Sequence, residues 1–122
     1  MQQGVRYGVG DADERPWGAW RVIDAGEGFA VKRITVKPGA RLSLQFHRAR
    51  DEHWIIVAGQ ARVTRGSERL DLGANQAVFI PNGAHHRIEN TGTTDLVFVE
   101  VQLGALLDEA DIVRVEDDYK RS

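Results

Sequence analysis

Residues 38–59 read Pro38-Gly39-Ala40-Arg41-Leu42-Ser43-Leu44-Gln45-Phe46-His47-Arg48-Ala49-Arg50-Asp51-Glu52-His53-Trp54-Ile55-Ile56-Val57-Ala58-Gly59, and this stretch decides the fold. Pro38-Gly39 is a turn, because proline presets one backbone dihedral and glycine supplies the permissive one. Arg41–His47 and Glu52–Ala58 alternate as strands, and the charged segment Arg48-Ala49-Arg50-Asp51 joins them. In such a hairpin alternate residues share a face. Ser43, Gln45 and His47 point one way, and Glu52 leads the same inward face of the second strand. Trp54 shares that face and packs the interior. His53 has the opposite parity and points away.

The same reading extends outward. Trp20–Asp24, Phe29–Val36, Ala61–Arg65, Glu68–Leu72, Gln76–Ile80, His86–Glu89 and Asp95–Leu103 are further short strands. Turn signals recur every eight to twelve residues or so, the mark of an all-β sandwich or barrel. Ala30, Lys32, Ile34 and Val36 share one face of their strand. In the last strand Val97, Val99 and Val101 form the apolar face, with Glu100 opposite beside Phe98 and Gln102. That parity turns Glu100 to solvent above a valine-lined core, or makes it a second candidate base if its face looks inward. The tail, Ala105–Tyr119, offers only a weak helical turn. Its acids Asp108, Glu109, Asp111, Glu116, Asp117 and Asp118 read as a solvated edge.

Length and composition set bounds. With 122 residues the chain makes one domain with a real core and is too short for a two-domain Rossmann enzyme. Sixteen Lys and Arg against eighteen Asp and Glu leave a net charge of -2, which gives no footprint for nucleic acid or an anionic membrane. The absence of cysteine excludes disulfides, thiol catalysis and cysteine-ligated zinc. No apolar leader or membrane-length segment is present, so the expected location is cytoplasmic.

The four histidines fall in two clusters, His47/His53 and His85/His86. If the strand that begins at His86 crosses the same barrel, Gln45, His47, Glu52 and His86 converge. Two imidazoles, a carboxylate and an amide oxygen suit one divalent metal ion, be it zinc, manganese, cobalt, nickel or iron. His85, in the turn before, faces the other way.

The full spacing carries a resemblance. Pro38-Gly39, Gln45-x-His47, Glu52 and Gly59 resemble the first motif of the cupin superfamily, and Pro81-x-Gly83-x-x-His86-x-x-x-Asn90 resembles its second. Gln45 stands where most metal-binding cupins have histidine. The run Gln45-x-His47, Arg50, Glu52-His53-Trp54 is similar to the C-terminal isomerase domain of type II mannose-6-phosphate isomerases, in which that glutamine is expected. Arg15-Pro16-Trp17-Gly18, Glu100-Val101-Gln102 and Asp111-Ile112-Val113-Arg114 agree, so the likeness runs from about Glu14 to Arg121. It departs at Arg48 and Ala49, where many members carry histidines.

The resemblance implies a single cupin domain over residues 1–122. Its small antiparallel β-barrel, or jelly roll, covers about residues 20–103, and both terminal extensions pack on it. It implies a homodimer and a sugar-phosphate ligand. The implied reaction is metal-dependent interconversion of mannose 6-phosphate and fructose 6-phosphate through a metal-stabilised enediolate. Gln45, His47, Glu52 and His86 are then the metal set. Arg50 and Glu52 are the catalytic candidates, and Arg50, Arg41 and Arg33, in that order, are candidates for phosphate. The base stays unassigned. The alternative is a non-catalytic metal- or sugar-phosphate-binding cupin module that acts with a separate nucleotidyltransferase. No glycine-rich nucleotide loop is present, so guanylyl transfer by this chain alone is not expected.

Overall fold

The computed structural model describes residues 7–105, 107 and 111–118. Its strands are β1 (Ala12–Arg15), β2 (Gly18–Gly26), β3 (Phe29–Val36), β4 (Leu44–Phe46), β5 (Arg50–Ala58), β6 (Ala61–Arg65), β7 (Glu68–Leu72), β8 (Ala77–Ile80), β9 (His86–Asn90), β10 (Leu96–Gly104) and β11 (Val113–Glu116). Six form one antiparallel sheet in the order β1-β2-β3-β10-β5-β8. The other five form a second sheet in the order β11-β4-β9-β6-β7. No helix among the described residues is long and apolar enough to cross a membrane.

Period-two alternation builds the interior. In β3, Ala30, Lys32, Ile34 and Val36 are buried, as parity requires. Read along the strands, the interior changes character. At one end Val36, Ile56, Leu96 and Phe98 are sealed from water and join Trp17, Val63 and Ile88 in the apolar core. Each such side chain contributes roughly 1.5–3 kcal/mol by leaving water. Toward the other end the same strands turn polar inward, with Lys32 on β3, Arg50 and Glu52 on β5, and Glu100 and Gln102 on β10. A barrel with a dry floor and a polar mouth results. Gly59 closes β5 where only glycine fits: its φ is +92°, and a Cβ there would lie 2.7 Å from the carbonyl oxygen of Asp95.

Three expectations are revised. The valine face of β10 is not the core face: Leu96, Phe98, Glu100 and Gln102 point in, and Val97, Val99 and Val101 lie on the outside. The tail supplies a strand, not only the expected helical turn: Asp111 lies in a 3₁₀ turn, and beyond it Val113 pairs with Phe46 and Arg114 with Gln45. Of the closing acids, Asp111 is buried rather than solvated. Asp118 pairs with Arg41 and Glu116 with Arg87 at the surface. Asp108 and Glu109 lie outside the described residues.

Candidate metal centre

Three strands deliver the centre. Gln45 sits on β4 opposite His86, the first residue of β9. His47 follows β4, and Glu52 projects inward from β5. The side chains of His47, Glu52 and His86 are all buried, and one ligand atom from each lies within 4.8 Å of the others. The Nδ1 of His86 donates to the carbonyl of Ala84 at 2.9 Å, which leaves its Nε2 lone pair for the interior. The Nδ1 of His47 faces the carbonyl of Asp111 at 3.3 Å. Its Nε2 lies 2.9 Å from Oε2 of Glu52.

That spacing fits a metal. Ligands held at about 2.1 Å and subtending a right angle lie about 3 Å from one another. Electrostatics agree. Burial pushes the His86 imidazole down to about 4, so it is neutral and able to ligate. Burial alone raises the Glu52 carboxyl, but the hydrogen bond from His47 and the charge of Arg50 hold it well below the usual range. The Nε1 of Trp54 donates to its other oxygen at 2.9 Å. Gln45 is oriented by its Nε2, which donates to Oγ of Ser43 at 2.9 Å.

The loop that carries His47 is held from two sides. Both carboxylate oxygens of Asp111 accept backbone amides, from Arg48 at 3.0 Å and from Ala49 at 3.1 Å. Across the barrel mouth, Asn82 donates from Nδ2 to the carbonyl of Arg48, and Gly83 donates to that of His47. Gly104 lets β10 approach the same loop, since a Cβ there would meet the Ala49 oxygen at 2.2 Å.

A cavity opens beside these ligands. Among the described residues Arg15, Lys32, Arg50, Arg87 and Arg114 line it, with the carboxylates Glu52 and Glu100. Lys32 is buried, donates to the Tyr7 hydroxyl at 2.8 Å, and lies over the rings of Tyr7 and Trp20 at 4.0 and 4.3 Å. Burial, with the Glu52 charge, pushes the Glu100 carboxyl up to about 7, against the pull of Lys32 and Arg50. Gln102 donates to it from the same face of β10.

The sequence candidates divide. His47, Glu52 and His86 come together with Gln45 beside them. Arg50 is also there, but its Nε donates to Glu52 at 2.9 Å and its Nη2 lies 3.3 Å from the Nε2 of His47. Its guanidinium therefore faces the metal ligands rather than an open phosphate site. Arg41 and Arg33 do not reach the cavity. Arg41 forms a two-pronged ion pair with Asp118 at 2.7 and 3.0 Å, and Arg33 is exposed on the outer face of β3. His53 and His85 point away as parity requires, beside Phe79 and Phe46. Lys32 was missed as a site residue, whereas Glu100, weighed as a second candidate base if its face looked inward, does face inward. A lysine sharing a strand face with Ala30, Ile34 and Val36 was the signal for Lys32.

The model of the family described as mannose-6-phosphate isomerase C-terminal matches residues 8–117. The xanthan biosynthesis protein XanB of Xanthomonas campestris is 58% identical over 108 residues, which are 88% of this chain and 23% of XanB. A mannose-1-phosphate guanylyltransferase of Escherichia coli is 50% identical over 107 residues, 88% of this chain and 22% of that protein. The chain thus spans less than a quarter of the length of these relatives. Among solved structures, the cupin domain of Schizosaccharomyces pombe Cnp3 superposes with a TM-score of 0.68 at 16% identity over 70% of this chain and 64% of that one. Bacillus subtilis oxalate decarboxylase OxdC gives 0.75 at 23% identity over 86% of this chain and 30% of that one. The expected cupin fold stands. The expectation of a chain that works as a mannose-6-phosphate isomerase in its own right is overturned. Relatives at least 50% identical over the aligned residues are named for guanylyl transfer or polysaccharide biosynthesis, and the chain matches only a minor part of each.

Proposed function

The chain belongs to the mannose-6-phosphate isomerase C-terminal family, and from that premise we propose that it is a metal- and sugar-phosphate-binding cupin module that acts with a separate nucleotidyltransferase. The observation that carries this reading is the charge of the cavity. A chain of net charge -2 gathers Arg15, Lys32, Arg50, Arg87 and Arg114 around one hollow next to a buried His–Glu–His set, an excess of positive charge that remains after the pairs Arg15–Asp13, Arg50–Glu52 and Arg87–Glu116. Such an excess favours a dianion, since low-dielectric walls focus the field of converging charges.

His47, Glu52 and His86 would hold the ion, with the Gln45 amide at its side. A bound divalent ion would supply Lewis acidity to ligand oxygens. The protein supplies the rest. Lys32 and Arg15, positioned around Trp20, offer donors to a phosphate. Glu100, protonated over much of the range below pH 7, offers an O–H to a sugar hydroxyl. Trp17 and Trp20 give the wall an apolar surface for a sugar ring.

Calorimetric titration of the metal-loaded protein tests this reading. Mannose 1-phosphate and mannose 6-phosphate should bind at least about tenfold more tightly than mannose, a difference of roughly 1.4 kcal/mol, and Lys32→Met should abolish the preference. Adding the protein to a mannose-1-phosphate guanylyltransferase lacking such a domain should alter the rate of GDP-mannose formation. Equal affinity for mannose and its phosphates, with no effect on that rate, would overturn the proposal.

A further inference from the structure

Tyr7 lies across the mouth of the barrel. Its hydroxyl accepts from Nζ of Lys32 at 2.8 Å, and the Arg50 guanidinium hydrogen-bonds to the same hydroxyl. The Lys32 ammonium sits 4.0 Å from the centre of the Tyr7 ring and 4.3 Å from that of Trp20, and the two rings meet edge to face at 5.8 Å. A neutral oxygen thus stands between two buried cations, where the charge of the cavity would seat an oxygen of an anionic ligand. A phenol is a weak acceptor for that place. It offers lone pairs without a full charge, whereas a phosphate brings several anionic oxygens to the same donors.

The backbone holds Tyr7 lightly. Its amide donates to the carbonyl of Leu107 at 3.3 Å, beyond the usual range for such a bond. Firmer anchorage begins with the next residue. The Gly8 amide donates to Oδ2 of Asp11 at 2.8 Å, Gly10 donates to the carbonyl of Val22 at 2.8 Å, and Val22 donates to that of Asp11 at 2.8 Å. Tyr7 also stands between two spaces. On one side is the charged cavity, whose lining residues Lys32 and Trp20 it touches. On the other is a hollow of about 260 Å³ that Tyr7 borders together with Ala25, Gly26, Phe29, Ala30, Gly104 and Ala105. Small and apolar residues make that hollow, and it has room for a phenol ring.

We propose that Tyr7 is a gate that selects for anionic ligands: its hydroxyl holds the place of a ligand oxygen between Lys32 and Arg50, and an entering phosphate takes both donors and turns the ring out into the hollow. A neutral sugar offers those cations no more than the phenol already does, so it leaves the gate shut. The selection is made by competition: every ligand must first displace an internal acceptor, and a charged one displaces it most readily. This inference rests on the sugar-phosphate reading above and adds to it the residue that opens the site.

The test uses the whole metal-loaded chain, with inorganic phosphate, mannose 6-phosphate and mannose as probes. The two tyrosines, Tyr7 and Tyr119, are replaced biosynthetically by fluorotyrosine, and Tyr7→Phe assigns the fluorine resonance of Tyr7. Phosphate and mannose 6-phosphate should move that resonance with the midpoint found by calorimetry, and mannose should leave it in place. Tyr7→Phe keeps the ring but removes the competing hydroxyl, and should tighten phosphate binding about fivefold or more. Ala25→Leu fills the hollow and should weaken phosphate binding, yet have no effect when combined with Tyr7→Ala. Phosphate that binds while the Tyr7 resonance stays still, or that binds more weakly to Tyr7→Phe, overturns the gate and leaves the sugar-phosphate reading standing. An effect of Ala25→Leu that persists without the Tyr7 ring overturns it as well. Failure of every variant to bind either phosphate overturns both readings.

Discussion

The Nε2 of His47 and Oε2 of Glu52 lie 2.9 Å apart at buried side chains beside the cavity, and each residue has its other side engaged by a neighbour. Arg50 donates to that oxygen at 2.9 Å and lies 3.3 Å from the imidazole nitrogen, and the two lone pairs themselves still call for a proton or a metal ion between them. A metal ion meets that need without the cost of a buried imidazolium. The purified protein should therefore bind one divalent ion per chain. His47→Ala and His86→Ala should each remain folded and lose that ion, with affinity reduced by more than about a hundredfold, since even outer-shell changes cost 10–100-fold. Metal content by plasma mass spectrometry checks this; full occupancy in both variants would place the site elsewhere.

Asp111 couples the tail to the metal loop through its two amide acceptor bonds and its carbonyl. Replacement by Ala removes two charge-assisted hydrogen bonds and should cost about 2–4 kcal/mol in urea unfolding. Metal affinity should fall about tenfold, because His47 loses its fixed orientation. Asp111→Asn keeps one acceptor and should recover part of both losses. Unchanged metal affinity in the Ala variant would mean that the loop holds its shape unaided.

Glu100 gives stability a pH dependence of unusual sign. Its carboxyl is at about 7 in the fold and 4.5 in the unfolded chain, so the fold holds the proton more tightly. That contribution is complete below pH 4.5 and is lost as pH rises through 7, a change of about 3 kcal/mol. His86, depressed to about 4, acts oppositely: its contribution is present above pH 6.5 and is lost as pH falls. In chelator-treated protein the two slopes oppose one another between pH 4.5 and 6.5. Glu100→Gln should unmask the His86 slope, making stability rise with pH across that window. Parallel curves for the two proteins would show that Glu100 titrates normally.

Two glycines should respond differently to alanine. Gly28 has a φ of +81° with open space around it, so Gly28→Ala carries backbone strain alone, about 1 kcal/mol. At Gly104 a methyl would meet the Ala49 oxygen at 2.2 Å and the Arg50 Cα at 2.7 Å. Gly104→Ala must push the metal loop aside, and should cost about 2–4 kcal/mol with a loss of metal affinity. Equal thermal shifts for both variants would show that the loop yields freely.

Parity and turn chemistry made much of this molecule readable in advance. Gln45 and His47 share a face because they are an even step apart, the hairpin brings the inward face of β5 with Glu52 beside them, and β9 brings His86 across. What failed has a common cause. A hydrophobic pattern identifies the core face only when the interior is apolar, and here the barrel mouth is polar. Val97, Val99 and Val101 therefore outscored Glu100 and Gln102 as core candidates while lying outside. The four residues of β11 are too few to show a period, and their strand exists because β4 offers them an edge. Arg41 and Arg33 are inseparable from pocket residues by charge alone. Only the ion pair with Asp118 and the outward parity of β3 remove them.

The pairing of β4 with β11 has a temporal consequence. The wall that carries Gln45 and leads to His47 has as its outer neighbour a strand from residues 113–116, and the loop beyond it waits for Asp111. Until those residues dock, His47 is held only from the Asn82–Gly83 side of its loop. Metal capture in the final geometry waits for Asp111 and β11 to dock on the loop and on β4. Trace ions met earlier find only loose, separate ligands, and selection among metals is left to the finished fold.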